Sequence, residues 1–455
     1  MLTQSAEHHQ TNLFGTDLLL QLDPSDPLIQ LSHRIPWSDL EDTFANFYTQ
    51  GIGAPSKPIR LMVGLLLLKH LENLSDERLV MQWKRNAYYQ AFCGMKEFQQ
   101  NVPCHATELV YFRKRIGKAG CEKLFQMSVG LHGQAALEET VNIDTTVQEK
   151  NITYPTDGKL AIKIINRLNK LAKHFGIKQR RTFVKETKGL RLDLRHFRHV
   201  KKRRKAKRAL KRLRTIGNTL IRELKRKVPV EMMTEQLEKD FALYEKVLSQ
   251  QPKNKNKVYS LHEPHVYCIA KGKDKVQYEY GNKVSVASTA QSNIIVGVVS
   301  HPKNIHDSHT LEAVLEHINT SRGQKVLQGV CDRGYRGQSF VNETEIILPK
   351  KALKKDNRYQ RDKKRKRCQR RAAIEPIIGH LKSDFRLSRN YLKGEIGDHL
   401  NLLMAATAWN LKKWLNAFFA FIFLAITKPL VVMFDREMRL RSRNSPFKML
   451  LRMIG

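Results

Sequence analysis

Three acidic residues occupy positions from which carboxylate chemistry is done. Asp144 follows the β-forming residues Val141 and Ile143, and Asp332 follows the apolar run Val326, Leu327, Gly329, Val330, Cys331. Each is expected at the end of a buried strand, where α/β sheets build their sites. Glu375 opens a helical segment just after a basic stretch. A buried carboxylate is costly unless paired or bound to a metal. Three carboxylates can hold two Mg²⁺ ions, hard cations that prefer oxygen, with Mn²⁺ as a substitute. Two such ions about 4 Å apart activate a water or a 3′-hydroxyl and stabilise the leaving oxygen of an in-line phosphoryl transfer. Taken singly, each acid reads as a surface or capping residue; their joint placement on a strongly cationic chain favours the metal reading. Asp157 and Asp307 lie near turns and are assigned no metal.

The helix that Glu375 opens is expected over residues 374–387. At about 100° per residue, Glu375, Gly379, Lys382 and Arg386 share one face, and Ile374, Ile377, Ile378, Leu381 and Phe385 lie largely on the other. The polar stripe would combine a metal ligand with two cations, and the bare Gly379 would let a phosphate backbone approach. Pro376 fits only if the helix begins near Glu375 or kinks there.

The whole chain is built for a polyanion. Its 455 residues carry 81 Lys and Arg against 43 Asp and Glu, a net charge of +38. Such a chain repels itself unless neutralised, which argues against an ordinary small-molecule enzyme and for nucleic acid. Residues 201–227, opening with Lys201, Lys202, Arg203 and Arg204, hold fourteen Lys or Arg and one acid, Glu223. Leu210, Leu213, Ile216, Leu220 and Leu224 step by three and four through this run, so it is an amphipathic helix. Its charged face favours phosphate contact over simple solvation. Residues 350–371 hold thirteen Lys or Arg and two acids.

The remaining elements frame these segments. Residues 1–57 hold two basic and seven acidic residues and read as a packing or dimer-contact segment. Residues 58–139 read as helices. Pro58 opens a buried one, Ser75 caps a second that runs to about Tyr89, and Thr107 caps a third that ends at Gly117. The third carries Arg113 and Arg115, which fits a helix-turn-helix DNA reader or a plain bundle with a basic face. Residues 140–158 turn to strand, 159–257 form a basic helical insertion, and strands resume from 258. There, residues 276–280 and 283–287 alternate around a Gly281-Asn282 turn, and 293–299 read as a central strand. The class is α+β. Six cysteines without a CxxC pair point to a reducing, cytoplasmic setting. The apolar run 417–434 is interrupted at Lys428-Pro429 and falls short of the ~20 residues of a membrane span; it reads as a buried or partner-facing helix. No Walker A motif or nucleophile elbow occurs, and His262 and His265 flank Glu263 in a loop spaced wrongly for a zinc helix.

The chain resembles bacterial DDE transposases of insertion sequence family 5, within the broader family 4/5 group, over about residues 35–415. The carriers are Ile143-Asp144-Thr145-Thr146 with Tyr154-Pro155-Thr156-Asp157, Ser260-Leu261-His262-Glu263-Pro264 with residues 268–273, and Tyr280-Gly281-Asn282-Lys283. They continue with Asp332-Arg333-Gly334-Tyr335-Arg336-Gly337, and Ile374-Glu375-Pro376 with Gly379-His380-Leu381-Lys382; Asn304 and Asp307 fit as well. The resemblance implies an RNase H-like core of the retroviral integrase superfamily (140–158 and 258–415), with the basic helical insertion, an all-helical N-terminal domain and a C-terminal tail from 416. It implies Asp144, Asp332 and Glu375 as the metal-binding catalytic triad. The family's Tyr-Arg-Glu-Lys signature maps to Arg371, Glu375 and Lys382, with Cys368 in place of the tyrosine. Arg371, Lys382, Arg386, Arg333, Arg336, residues 201–204, Arg113 and Arg115 are the expected DNA contacts. The expected partners are double-stranded DNA, both element ends and target, and a second copy of the chain, in a nucleoid-associated protein without membrane or small-molecule partner. The alternatives are an RNase H-like nuclease or resolvase without strand transfer, and a non-catalytic DNA-binding protein such as a decayed copy.

Overall fold

The structure, a computed structural model, describes residues 17–49, 53–270, 277–349 and 353–443, with side chains to residue 418. Its centre is β1 (Thr140–Lys150), paired antiparallel with β3 (Tyr278–Thr289) and parallel with β5 (Gln328–Val330). β2 (Tyr267–Ala270) and β4 (Ile295–His301) pair with β3, while β7 (Thr344–Ile347) extends the sheet beyond β5 and carries β6 (Phe340–Val341) at its edge. β8 (Arg389–Asn390) lies along the far end of β1. The sheet is mixed, and the class is α+β as expected.

Two strand expectations are corrected. Asp144 is not at a strand end: β1 runs six residues past it, because Val147 and its neighbours keep pairing as far as Glu149. Residues 281–282 are not a turn: β3 continues straight through them, opposite Gln148 and Glu149. Glycine is needed at 281 because a Cβ there would collide with the Gln148 carbonyl of β1. The hairpin-like signal therefore came from a close strand approach.

The N-terminal chain folds as α1 (Leu18–Gln21), α2 (Pro27–Arg34), α3 (Trp37–Ala45), α4 (Ile59–Leu71), α5 (Asp76–Arg85), α6 (Ala87–Phe92) and α7 (Ala106–Gly130). α4 follows Pro58 and is buried on nearly every side, as its unbroken apolar run demands. Ser75 caps α5, but Asn86 ends it early by capping α6. His105, rather than Thr107, caps α7, in a reciprocal capping box with Glu108. Gly117 breaks the helical geometry at φ 54°, yet the helix resumes beyond it. Helices α2 to α7 share one hydrophobic core with the sheet, α12 (Leu311–Arg322) and the first turns of α15 (Gly394–Arg443), while Leu18 of α1 packs with Ile29 and Ala91 in a small separate cluster. Buried Asn410 pins α15 to β4, accepting from Ile295 N–H at 2.9 Å and donating to its carbonyl at 2.8 Å.

Between β1 and β2 the chain folds on a second cluster, built by α8 (Asp157–His174), α10 (Arg203–Lys227) and α11 (Glu235–Ser249) with α9 (Val184–Asp193) alongside. The stripe read from the sequence is its seam: Leu213, Ile216, Leu220 and Leu224 are buried. Residues 201–204 stay exposed just before and at the start of α10. Among the described residues no helix is long and apolar enough to cross a membrane. Of the apolar run 417–434, the side chains from 419 onward fall outside the described residues, as do the motif residues 271–273, residues 350–352 at the head of the basic stretch and the tail 444–455.

Candidate active site

Asp144, mid-strand on β1, is placed beside β5 and the joint between α13 (Arg358–Ala372) and α14 (Ile374–Ser383). Its side chain is 17% exposed. Oδ1 accepts the Thr145 N–H at 2.8 Å, and Oδ2 lies 3.5 Å from Arg371 Nη2. The same Arg371 nitrogen donates to Glu375 Oε1 at 3.0 Å. Arg371 ends α13 and Glu375 starts α14, so a four-residue step across the joint lets one guanidinium touch both acids. Asp332 follows β5 and caps the short turn Arg333–Tyr335, accepting the Gly334 N–H at 2.8 Å. Fully buried Tyr335 anchors that turn.

Burial pushes the Asp144 carboxyl up to about 6, against the pull of the Thr145 N–H and Arg371, and the charges of Asp332 and Glu375 push it further. The charges of Asp332 and Glu375 thus reach Asp144, and Asp144 and Glu375 share Arg371 as a counter-cation. The carboxylate oxygens are the donor type that Mg²⁺ and Mn²⁺ take. Among the described residues, no three His, Cys, Asp or Glu side chains yet stand close enough to ligate one ion. Arg371 occupies the gap between Asp144 and the 60% exposed Glu375.

The cations divide. Arg113 is corrected: it is buried on α7 and forms a two-pronged pair with Asp76 at 2.9 and 2.6 Å, with Lys69 bonding the same carboxylate. It cannot reach a phosphate. Arg386 is corrected as a member of the α14 face: the helix ends at Ser383, and Arg386 lies beyond it at φ 66°, bonded to the Asn73 carbonyl at 3.1 Å. Glu375, Gly379 and Lys382 remain on α14, with Pro376 in its first turn. Arg333 and Arg336 are exposed on the loop after Asp332, and Arg115 is exposed against the Tyr48 ring at 4.4 Å. Glu263 belongs to a buried network instead of a zinc site, bonding the Gly394 N–H and pairing with Lys150.

One residue that sequence reasoning set aside is drawn in. Asp307, before α12, accepts Thr145 Oγ1–H and Lys283 Nζ–H at 2.8 Å each. Thr145 adjoins Asp144 in β1, and Lys283 lies on β3 opposite Val147. The signal available was the pairing of an acid in the turn before α12 with a strand lysine, visible only in the folded chain.

A family model described as "Transposase DDE domain" matches residues 249–411, and one described as "Transposase domain (DUF772)" matches residues 17–115. The chain belongs to the insertion-sequence DDE transposases. Such transposases act on DNA with divalent metal ions, and the mixed α+β sheet is consistent with the RNase H-like fold. Asp332, Glu375, Arg371, Lys382 and Asp307 lie within the matched DDE segment, while Asp144 and residues 159–248 lie between the two matched segments. The transposase chain is also similar to "Uncharacterized protein ORF8 in nfe locus" of Rhizobium meliloti, at 38% identity over 201 residues, 42% of this chain and 95% of the relative. No solved structure matches it.

Proposed function

We propose that this transposase, a member of insertion sequence family 5, binds the terminal inverted repeats of its own element, cleaves them and joins the 3′-hydroxyls to target DNA. Asp144, Asp332 and Glu375 would hold two Mg²⁺ ions. When bound, the ions supply the activated water or 3′-hydroxyl and the stabilised leaving oxygen. The carrying observation is the single Arg371 nitrogen shared by Asp144 and Glu375, beside an Asp144 carboxyl raised by its own burial and its acidic neighbours. A carboxylate cluster with so little counter-charge gains from added cations, and an arginine already seated there has a new partner at hand in a phosphate. Lys382 on α14, the exposed Arg333 and Arg336 on the loop after Asp332, and Arg386 and Arg115 would grip the backbone. The insertion, residues 159–257, is the second DNA-binding unit, with residues 201–204 at its exposed edge. Two ends must be processed together, so the working form is a homodimer on DNA.

The test is cleavage and end binding by Asp144→Asn, Asp332→Asn and Glu375→Gln. Each keeps size and removes one charge. Each should lower Mg²⁺-dependent cleavage by several orders of magnitude while end binding survives or tightens. Ca²⁺ should support binding with little cleavage. Any one substitution leaving cleavage within a few-fold of wild type in a folded protein removes that residue from the reaction.

A further inference from the structure

Asp307 has no role in the site as derived so far, yet it touches both strands of its floor. Its Oδ1 takes hydrogen bonds from Thr145 and Lys283, whose side chain is 12% exposed. Thr145 in turn gives its N–H to Asp144. The other oxygen, Oδ2, faces the loop that carries Asp332. A Cβ built on Gly334 would lie 2.9 Å from Asp332 Oδ1 and 3.1 Å from Asp307 Oδ2. Gly334 is thus the thin wall between two carboxylates, and no larger residue fits without moving one of them.

We propose that Asp307 is a positioning residue for a divalent cation bound at Asp332 and Asp144. This rests on the carboxylate reading above. Asp307 acts in two ways. It holds Thr145 and Lys283 in place, so the β1 backbone that orients Asp144 is braced from the β3 side. It also sets a second negative charge across Gly334 from Asp332, which deepens the potential a cation meets there. Lys283, bonded to Oδ1 at 2.8 Å, offsets part of this charge, and Oδ2 is the oxygen that stands nearer Gly334. Groups that orient ligating carboxylates typically contribute about 10–100-fold to metal affinity or activity.

The experiment is calorimetric titration of the full-length, metal-free protein with Mn²⁺, alongside duplex binding in EDTA and thermal unfolding. The proteins are wild type, Asp307→Asn, Asp144→Asn, Asp332→Asn and Glu235→Gln, an exposed acid on α11 that pairs only with Lys239 among the described residues. Asp307→Asn should weaken Mn²⁺ by about 10-fold. Its duplex affinity in EDTA should stay near wild type, and its melting should stay cooperative with a modest fall, because Lys283 loses its ion pair while the amide still accepts from Thr145. Glu235→Gln should change nothing. Should Asp307→Asn fail to fold, Thr145→Val carries the test: it keeps the shape, deletes the donor to Asp307, and should weaken Mn²⁺ several-fold. Normal Mn²⁺ affinity in Asp307→Asn, with losses in Asp144→Asn and Asp332→Asn, overturns the role of Asp307 and leaves the triad standing. Normal affinity in all three overturns both.

Discussion

Asp144, proposed above as a metal ligand, is a cost to the metal-free fold. Burial lifts its carboxyl from 3.8 to about 6, so between about pH 4 and pH 6 the folded chain keeps a proton that the unfolded chain has released. Stability without metal therefore falls as pH rises through that window. Asp144→Asn removes the titration while keeping the shape. Its metal-free melting temperature should exceed wild type above pH 6, by about 1 °C for each kcal/mol recovered in a chain of this length, and match it below pH 4. Equal melting curves at pH 8 would mean that Arg371 already neutralises Asp144 in full. The same arginine stands between two of the three acids proposed as ligands: its guanidinium bonds Glu375 and pairs with Asp144.

At the scale of elements, like charges do unlike work. On α7, Arg113 sits in the interface with α5 and completes a buried cluster with Asp76 and Lys69. Arg113→Ala should cost about 3 kcal/mol of stability, toward the low end for breaking a buried pair because Lys69 remains, with no change in the salt dependence of DNA binding. Denaturant melts beside binding isotherms separate those effects. On α10 the apolar stripe is spent on the insertion's own core, which leaves the start of the helix to solvent. Neutralising Lys201, Lys202, Arg203 and Arg204 together should flatten the log–log salt slope of duplex binding by about 0.9 for each phosphate that is no longer neutralised. An unchanged slope would show that this end of the insertion does not touch DNA.

Across the whole molecule, two large hydrophobic clusters among the described residues divide the labour, beside a small one at Leu18, Ile29 and Ala91. One joins the N-terminal helices, the sheet and the start of α15, so the acids of the site rest on a platform that spans both matched transposase segments. The other belongs to the insertion. A buried polar knot links β1, β3, β8 and α15: Asp398 pairs with Lys150 at 2.7 Å and accepts from Asn282 and Asn390. That knot fixes the far end of β1, while Arg371 and Asp307 act near its middle. The proposed assembly is tested at this scale. Light scattering of the complex with paired element ends should give two chains per two ends, and one chain per two ends would exclude the homodimer.

Periodicity and charge determined much by themselves. The buried α4, the amphipathic α10, the Ser75 cap, the placement of Asp332 just past a strand and the α+β class follow from local pattern, because helix faces and strand alternation are set by residues a few positions apart. The roles that local pattern misassigned depend on neighbours distant in the chain. Arg113 resembles a surface arginine until Asp76 closes on it. Gly281 resembles a turn until β1 passes directly against it. Asp307 resembles a loop acid until β1 and β3 bring Thr145 and Lys283 to it. A charge or a glycine has the same local signature on a surface, in a turn or in a core. Only the packing of distant segments decides which desolvation and which partners it meets, and so what it does.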